Sequence, residues 1–161
     1  MIEGWVLTLT VIVAIASGLV SGVFFAFSTF VMRALARLPA AQGVAAMQSI
    51  NVTVITPLFM LALMGTAVAC VVLGVAAIVD WGQDGSELVL AGSASYLAGT
   101  ILMTMAFHVP RNNALDEYEP TTPDAAAYWT RYLGAWTAGN HVRVLGALGA
   151  SILLTFAIVW R

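Results

Sequence analysis

A long uncharged run lies near the start of the sequence, Gly4–Met32, and it reads GWVLTLTVIVAIASGLVSGVFFAFSTFVM. A helix needs about 20 consecutive, mostly apolar residues to cross the hydrocarbon core of a bilayer, so this run is long enough to span a membrane. The three residues before it include no basic residue, and the run is longer than the apolar region of a signal peptide. We therefore expect it to remain in the protein as a membrane-spanning helix.

The rest of the sequence repeats this pattern. Residues 38–79 carry no charge, residues 88–110 carry only His108, and residues 144–160 carry none. No alternation of the kind that builds a membrane β-barrel is present. We predict one all-α domain over residues 1–161, a bundle of four transmembrane helices near 5–31, 52–79, 87–108 and 139–160.

The composition supports this class and excludes others. Hydrophobic residues make up 61% of the chain and charged residues 9%, against about 45–50% and about 25% in soluble domains. A net charge of −2 with six arginines and no lysine is not the footprint of a nucleic-acid-binding protein. The single cysteine, Cys70, excludes an intramolecular disulfide framework and a cysteine-rich metal site.

The arginines predict an orientation. The segments after predicted helices 1 and 3 face the same side of the membrane, and they hold five of the six arginines: Arg33, Arg37, Arg111, Arg131 and Arg143. The opposite side has only Arg161. Because arginine is enriched on the cytoplasmic side, we expect a protein of the plasma (inner) membrane with both termini outside and residues 109–138 in the cytoplasm.

Small residues recur at helical spacing. Ala14, Gly18 and Gly22 lie four residues apart on the first predicted helix, and Ser95 and Gly99 do the same on the third. Such ridges allow close approach of helices in lipid. We expect them to be packing surfaces.

An aromatic and polar stripe leads into the fourth helix. Thr121-Thr122-Pro123-Asp124 has the features of a helix start, which predicts an interfacial helix near 123–138 on the cytoplasmic side. If this helix continues into the fourth span, five residues fall within an arc of about 80°: Trp129, Tyr132, Trp136, Asn140 and Arg143.

Two interpretations of the stripe remain open. Tryptophan, tyrosine and arginine are typical of the membrane–water interface, so the stripe fits an interfacial belt. It also fits the wall of a pocket, in which the aromatic rings stack on a flat ligand and Asn140 and Arg143 donate hydrogen bonds.

His108 also has more than one interpretation. A histidine at a helix C-terminus can simply bond the last carbonyl groups. It can instead act as a base, because histidine titrates near neutral pH. His141 is expected at a similar depth, so the pair could also ligate a haem.

Five segments together resemble the anthrone-oxygenase-like family of small membrane proteins. They are GVFFAFSTFVM (22–32), LPAAQG (38–43), MQSIN (47–51), VPRNNALD (109–116) and WTAGNHVR (136–143). The resemblance implies oxidation of an anthrone-like polycyclic phenol by O₂ to a quinone. The substrate would be a small apolar aromatic molecule that arrives through the lipid bilayer, O₂ would be the co-substrate, and no metal or flavin would be required.

The resemblance also implies site residues. We expect His108 to act as the base and Asn113, Asn140 and Arg143 to act as oxyanion donors. The expected substrate contacts are Asn51, Trp129, Tyr132 and Trp136.

Other classes stay open at this point. A non-enzymatic small membrane subunit or interaction module fits the small-residue ridges equally well, and whether the protein forms a homo-oligomer also stays open. A haem- or quinone-binding redox protein fits His108 and His141. A small multidrug exporter fits less well, because such transporters depend on an acidic residue inside a span and none is predicted here.

Overall fold

The structure is a computed structural model that describes residues 3–160. It contains five helices: α1 (Gly4–Leu35), α2 (Ala40–Thr53), α3 (Pro57–Val79), α4 (Ser86–Asp116) and α5 (Pro123–Val159). All except α2 are long and apolar enough to cross a membrane, and residues 3–160 form no strand. The predicted all-α bundle of four membrane-spanning helices is confirmed, and the chain is a multi-pass membrane protein.

Two helix boundaries differ from the prediction. α3 begins at Pro57 and not near residue 52, because Thr56 caps it: its side chain accepts a hydrogen bond from the Phe59 N–H (3.2 Å). Proline in the first turn is compatible with such a start. α4 does not end at residue 108 but continues through Pro110 to Asp116.

π-helical turns explain why α4 passes through a proline. A π-helical turn, Thr104–His108, is followed by Val109 and then by Pro110. The proline therefore lies in the first turn of a new α-helical segment, where its missing N–H costs no hydrogen bond. Similar turns occur at Phe27–Val31, Leu61–Gly65 and Leu97–Leu102. The 3.6-residue period of the sequence gives no sign of these insertions.

α5 is one continuous helix of 37 residues. At 1.5 Å per residue it is about 55 Å long, well beyond the roughly 30 Å of a hydrocarbon core. Thr122 caps it, with its side chain accepting from the Ala125 N–H (3.2 Å). The predicted interfacial helix near 123–138 is therefore the first part of α5 and not a separate element, because neither Gly134 nor Gly139 interrupts the backbone hydrogen bonds.

Small residues bring α4 and α5 into backbone contact. A Cβ atom added to Gly99 or Gly146 would lie 2.7 Å from backbone atoms of the other glycine. Ser95 donates a hydrogen bond across the same contact to the Gly146 carbonyl (2.9 Å). On α1, Gly18 faces Ser151 of α5, whereas Gly22 has no close neighbour. The predicted ridges are thus packing surfaces over part of their length.

α2 covers one end of the bundle, where α1 and α4 end and α3 and α5 begin. Its Gln48 side chain donates hydrogen bonds to the carbonyl groups of Leu115 (3.0 Å) and Tyr118 (2.9 Å). The Leu115 carbonyl also accepts from the Tyr118 N–H (3.2 Å), so Gln48 adds a bond between helices to the turn that ends α4. α2 is therefore tied to the last turn of α4, and a cavity lies beneath it.

Candidate functional site

The four spanning helices and α2 enclose a cavity of about 460 Å³, a volume typical of small-molecule sites. Its apolar wall consists of Val23, Phe24, Phe27, Met47, Ile50, Val52, Val54, Ile55, Phe59, Met60, Leu63, Met64, Met105, Val109 and Trp136. Its polar residues are Asn51, Thr104, His108, Asn112, Asn113, Asp116 and Arg143. The predominance of apolar and aromatic side chains suits a flat, poorly soluble ligand.

Two residues that line the cavity, one on α3 and one on α4, are also exposed on the outer surface of the bundle. Met105 of α4 is 56% exposed and Met64 of α3 is 36% exposed, although both line the cavity. Met64 lies seven residues after the start of α3 at Pro57, which is about 10 Å along the helix. Both side chains are apolar, and Met64 lies within the membrane-spanning part of α3.

Arg143 is held by a buried relay. Its Nε and Nη2 atoms donate to Asn140 Oδ1 (3.1 and 2.7 Å), and Asn140 Nδ2 donates to the Phe24 carbonyl (2.7 Å) and to Ser28 Oγ (2.8 Å). A guanidinium only donates, so the amide orientation of Asn140 is determined. Arg143 Nη1 makes no hydrogen bond to any residue of 3–160, and Arg143 lines the cavity.

Asn112 is held by a second relay. Its Oδ1 atom accepts from Tyr132 Oη (2.7 Å) and from Trp136 Nε1 (3.0 Å). Because the indole nitrogen only donates, the atom facing it must be the amide oxygen. Asn112 Nδ2 then points away from both partners and has no hydrogen-bond acceptor within residues 3–160. Since Asn112 lines the cavity, its N–H groups are available to a ligand there.

Trp136 lies between these two donors. Its ring centroid is 5.0 Å from Arg143 Cζ, and its indole nitrogen bonds Asn112. Phe27 packs on it at 5.7 Å, and Arg143 also lies 4.2 Å from the ring centroid of Phe24. The cavity thus has an aromatic surface with a hydrogen-bond donor on either side of it.

His108 is buried between α4 and α5. Nδ1 lies 3.3 Å from the Met103 carbonyl oxygen and Nε2 lies 3.2 Å from the Trp136 carbonyl oxygen. The imidazole ring also meets Trp136 edge-on, with centroids 5.1 Å apart. Both ring nitrogens therefore contact backbone acceptors, and His108 links the two helices that carry the donors.

The outer end of the cavity is more exposed. Asn51 Nδ2 donates to Asp116 Oδ1 (3.2 Å), and this pair connects α2 to the end of α4. Asn113 also lines the cavity but is exposed. No other residue of 3–160 hydrogen-bonds the Asn113 side chain, so its amide is not held in one orientation.

The structure brings five of the eight predicted site residues to the cavity wall. These are Asn51, His108, Asn113, Trp136 and Arg143. The other three, Trp129, Tyr132 and Asn140, are buried behind the wall. Trp129 stacks on Tyr132 (5.5 Å between centroids) and packs against Gly43 of α2, while Tyr132 and Asn140 hold Asn112 and Arg143 in place.

The residue predicted from the sequence was Asn113, whereas the structure orients its neighbour Asn112. The available signal was the spacing from His108 to Asn112, which puts both residues on one face of a helix. The prediction that the helix ends before Pro110 removed this signal. Ser28, which anchors Asn140, was missed because nothing in the sequence places it opposite α5.

The two histidines lie in different environments. His108 is buried, whereas His141 is exposed on the outside of the bundle. They do not face each other, so a bis-histidine haem site has no ligand pair within one chain. Among residues 3–160, no group of three or more histidine, cysteine, aspartate or glutamate residues is arranged to hold a metal ion.

Residues 58–153 match the sequence profile of the anthrone oxygenase family. The chain belongs to this family. The matched segment includes α3, α4 and most of α5 of this anthrone oxygenase family member, and therefore His108, Asn112, Trp136, Asn140 and Arg143. The motifs at 22–32 and 38–51 lie outside it. No curated protein and no solved structure matches the chain.

Proposed function

We propose that this chain is a membrane-bound oxygenase that converts an anthrone-like polycyclic phenol and O₂ into the quinone and water. The observation that carries the proposal is the aromatic cavity in which Asn112 and Arg143 are both held with unbonded N–H groups beside Trp136. We propose no resident cofactor, because the substrate carbanion can itself reduce O₂.

The chemistry needs few protein groups. Removal of one benzylic proton from an anthrone leaves a carbanion whose charge lies mainly on the carbonyl oxygen, as an aromatic phenolate. This anion transfers one electron to O₂, and the two radicals combine into a carbon-bound peroxide anion. The proton that the base removed returns to the terminal oxygen and gives the hydroperoxide. Loss of water from the hydroperoxide, with the second benzylic proton, forms the quinone carbonyl. One O₂ is consumed, one oxygen atom enters the product and the other leaves as water.

Arg143 and Asn112 would stabilise the phenolate oxygen. Donors that are already oriented cost no reorganisation when charge develops, and one such donor typically contributes about 10²–10³-fold in rate. Asn140 and Tyr132 are positioning residues in this scheme, because each orients a donor without reaching the cavity. Trp136, Phe24 and Phe27 would contact the faces of the aromatic rings.

His108 is the proposed base, but its ring must first release one of its present contacts. Both ring nitrogens contact backbone carbonyl oxygens, so the ring must exchange one of these contacts for the substrate before it can remove a proton. Asn113 and Asn51 would contact the outer part of the substrate. The substrate would enter from the bilayer past Met64 and Met105, which are exposed and also line the cavity.

The first experiment is conversion of anthrone to anthraquinone under air by the protein in lipid nanodiscs. We expect a rate well above spontaneous oxidation in empty nanodiscs. His108→Ala should lower that rate by about 10²–10⁴-fold if His108 is the base, whereas Arg131→Gln, a change at an exposed residue, should not affect it. Size-exclusion chromatography checks that each variant is folded.

Two other outcomes are informative. An unchanged rate in His108→Ala would leave the enzyme intact and remove His108 as the base. No conversion above background by the folded wild type, with several tricyclic phenols, would contradict the oxygenase proposal and favour a non-enzymatic membrane subunit.

We also propose that the α2 end of the bundle faces the cytoplasm at the plasma membrane. Arg33, Arg37, Arg111 and Arg131 all belong to this end, which agrees with the positive-inside rule. In a Cys70→Ala background, the Glu119→Cys variant, changed at an exposed residue, should react with a membrane-impermeant maleimide only after the cells are opened. Labelling of Glu119→Cys in intact cells, without labelling of Asp84→Cys, would reverse the orientation.

A further inference from the structure

The charge of Arg143 is buried without a carboxylate partner. Its side chain is only 6% exposed, within a membrane-spanning helix. Its hydrogen bonds go to the neutral amide of Asn140, and the rings of Phe24 and Trp136 lie beside it. No salt bridge to Arg143 occurs within residues 3–160.

An isolated buried charge is costly. Arginine stays protonated in proteins, and charged residues inside a membrane domain usually pair with each other or line a functional cavity. The hydrogen bonds to Asn140 hold the guanidinium beside the cavity. The one carboxylate on the cavity wall, Asp116, lies at the exposed outer end and is bonded to Asn51.

We propose that the ligand supplies the missing negative charge. The cavity binds a polycyclic aromatic anion, with a carboxylate or an ionised hydroxyl group against Arg143 Nη1 and the rings against Trp136. Asn112 Nδ2 donates to a second oxygen of the same ligand. This inference rests on the proposed function for the location of the substrate, but it concerns the charge of the bound ligand before any reaction occurs.

The experiment compares two ligands of nearly equal size that differ in charge. Anthracene-2-carboxylate and anthracene-2-carboxamide are titrated into the protein in phosphatidylcholine nanodiscs, and binding is followed by the anthracene fluorescence. Empty nanodiscs correct for partition into lipid. We expect the carboxylate to bind at least about tenfold more tightly, since a hydrogen bond to a charged group is among the stronger ones.

Variants test whether Arg143 causes the preference for the carboxylate over the carboxamide. Arg143→Gln should reduce the ratio of the two affinities to about one, and Arg143→Lys, which retains the charge without the planar fork, should keep part of it. Arg131→Gln should leave the ratio unchanged, because Arg131 is an exposed arginine outside the cavity.

Equal affinities in the wild type would overturn the inference, even if Arg143→Gln proves unstable. A preference that survives in folded Arg143→Gln would overturn it as well. Failure of the oxygenase proposal has a different signature: selective binding of the carboxylate together with no oxidation of anthrones. The opposite combination, oxidation of anthrones without selective binding, would retain the enzyme and discard the charge pairing.

Discussion

Replacing Asn112 with aspartate is expected to lower the turnover of an anthrone by about 10²–10³-fold, the usual effect of losing one oriented donor. Aspartate keeps an oxygen that can accept from Tyr132 and Trp136, so the relay survives while the two N–H groups disappear. The measurement is the rate of anthraquinone formation in nanodiscs at saturating substrate, with correction for spontaneous oxidation.

Asn113 provides the matched control. It is the adjacent residue and also lines the cavity, but its amide is exposed and is not held by other side chains. We expect Asn113→Asp to lower the rate much less than Asn112→Asp. A larger loss in Asn113→Asp would show that the sequence-based choice of donor was right and that the oriented Asn112 amide does not act on the substrate.

The second large effect concerns stability. Gly146→Ala should lower the free energy of unfolding by about 1–3 kcal/mol, the usual cost of overpacking. The new methyl group would lie 2.7 Å from backbone atoms of Gly99, and backbone cannot move aside as a flexible side chain can. The thermal midpoint in detergent, followed by the loss of the monodisperse chromatographic peak, measures this change.

Gly134→Ala is the control in the same helix. Gly134 has nothing within 4 Å of an added Cβ, and alanine is the better helix former. We expect its thermal midpoint to stay the same or rise slightly. An equal decrease in both variants would show that the close contact between α4 and α5 does not govern the stability of the bundle.

The membrane class and the number of spans follow from local properties of the chain. Each span must contain about 20 mostly apolar residues whatever its neighbours are, so the runs beginning at Gly4 and Leu88 could be recognised without knowledge of packing. The position of Arg143 on one face with Trp136 and Asn140 is equally local, because these residues belong to one helix. The pocket interpretation of the stripe was therefore available from spacing alone.

The division of that stripe between the cavity wall and the layer behind it depends on other helices. Trp129 is covered because α2 brings Gly43 against its ring, and Asn140 is turned inward by Phe24 and Ser28 of α1. Contacts between segments more than 80 residues apart in the chain leave no periodic trace in the sequence.

Which of Asn112 and Asn113 is the oriented donor also depends on the tertiary structure. Asn112 is the one that faces Tyr132 and Trp136 because α4 continues as a helix through Pro110, after the π-helical turn at Thr104–His108. One additional residue in a turn rotates everything after it around the helix axis. The apolar length of a span is a property of one segment, whereas the direction of a side chain within the bundle depends on how the backbone is wound and on which helix lies opposite it.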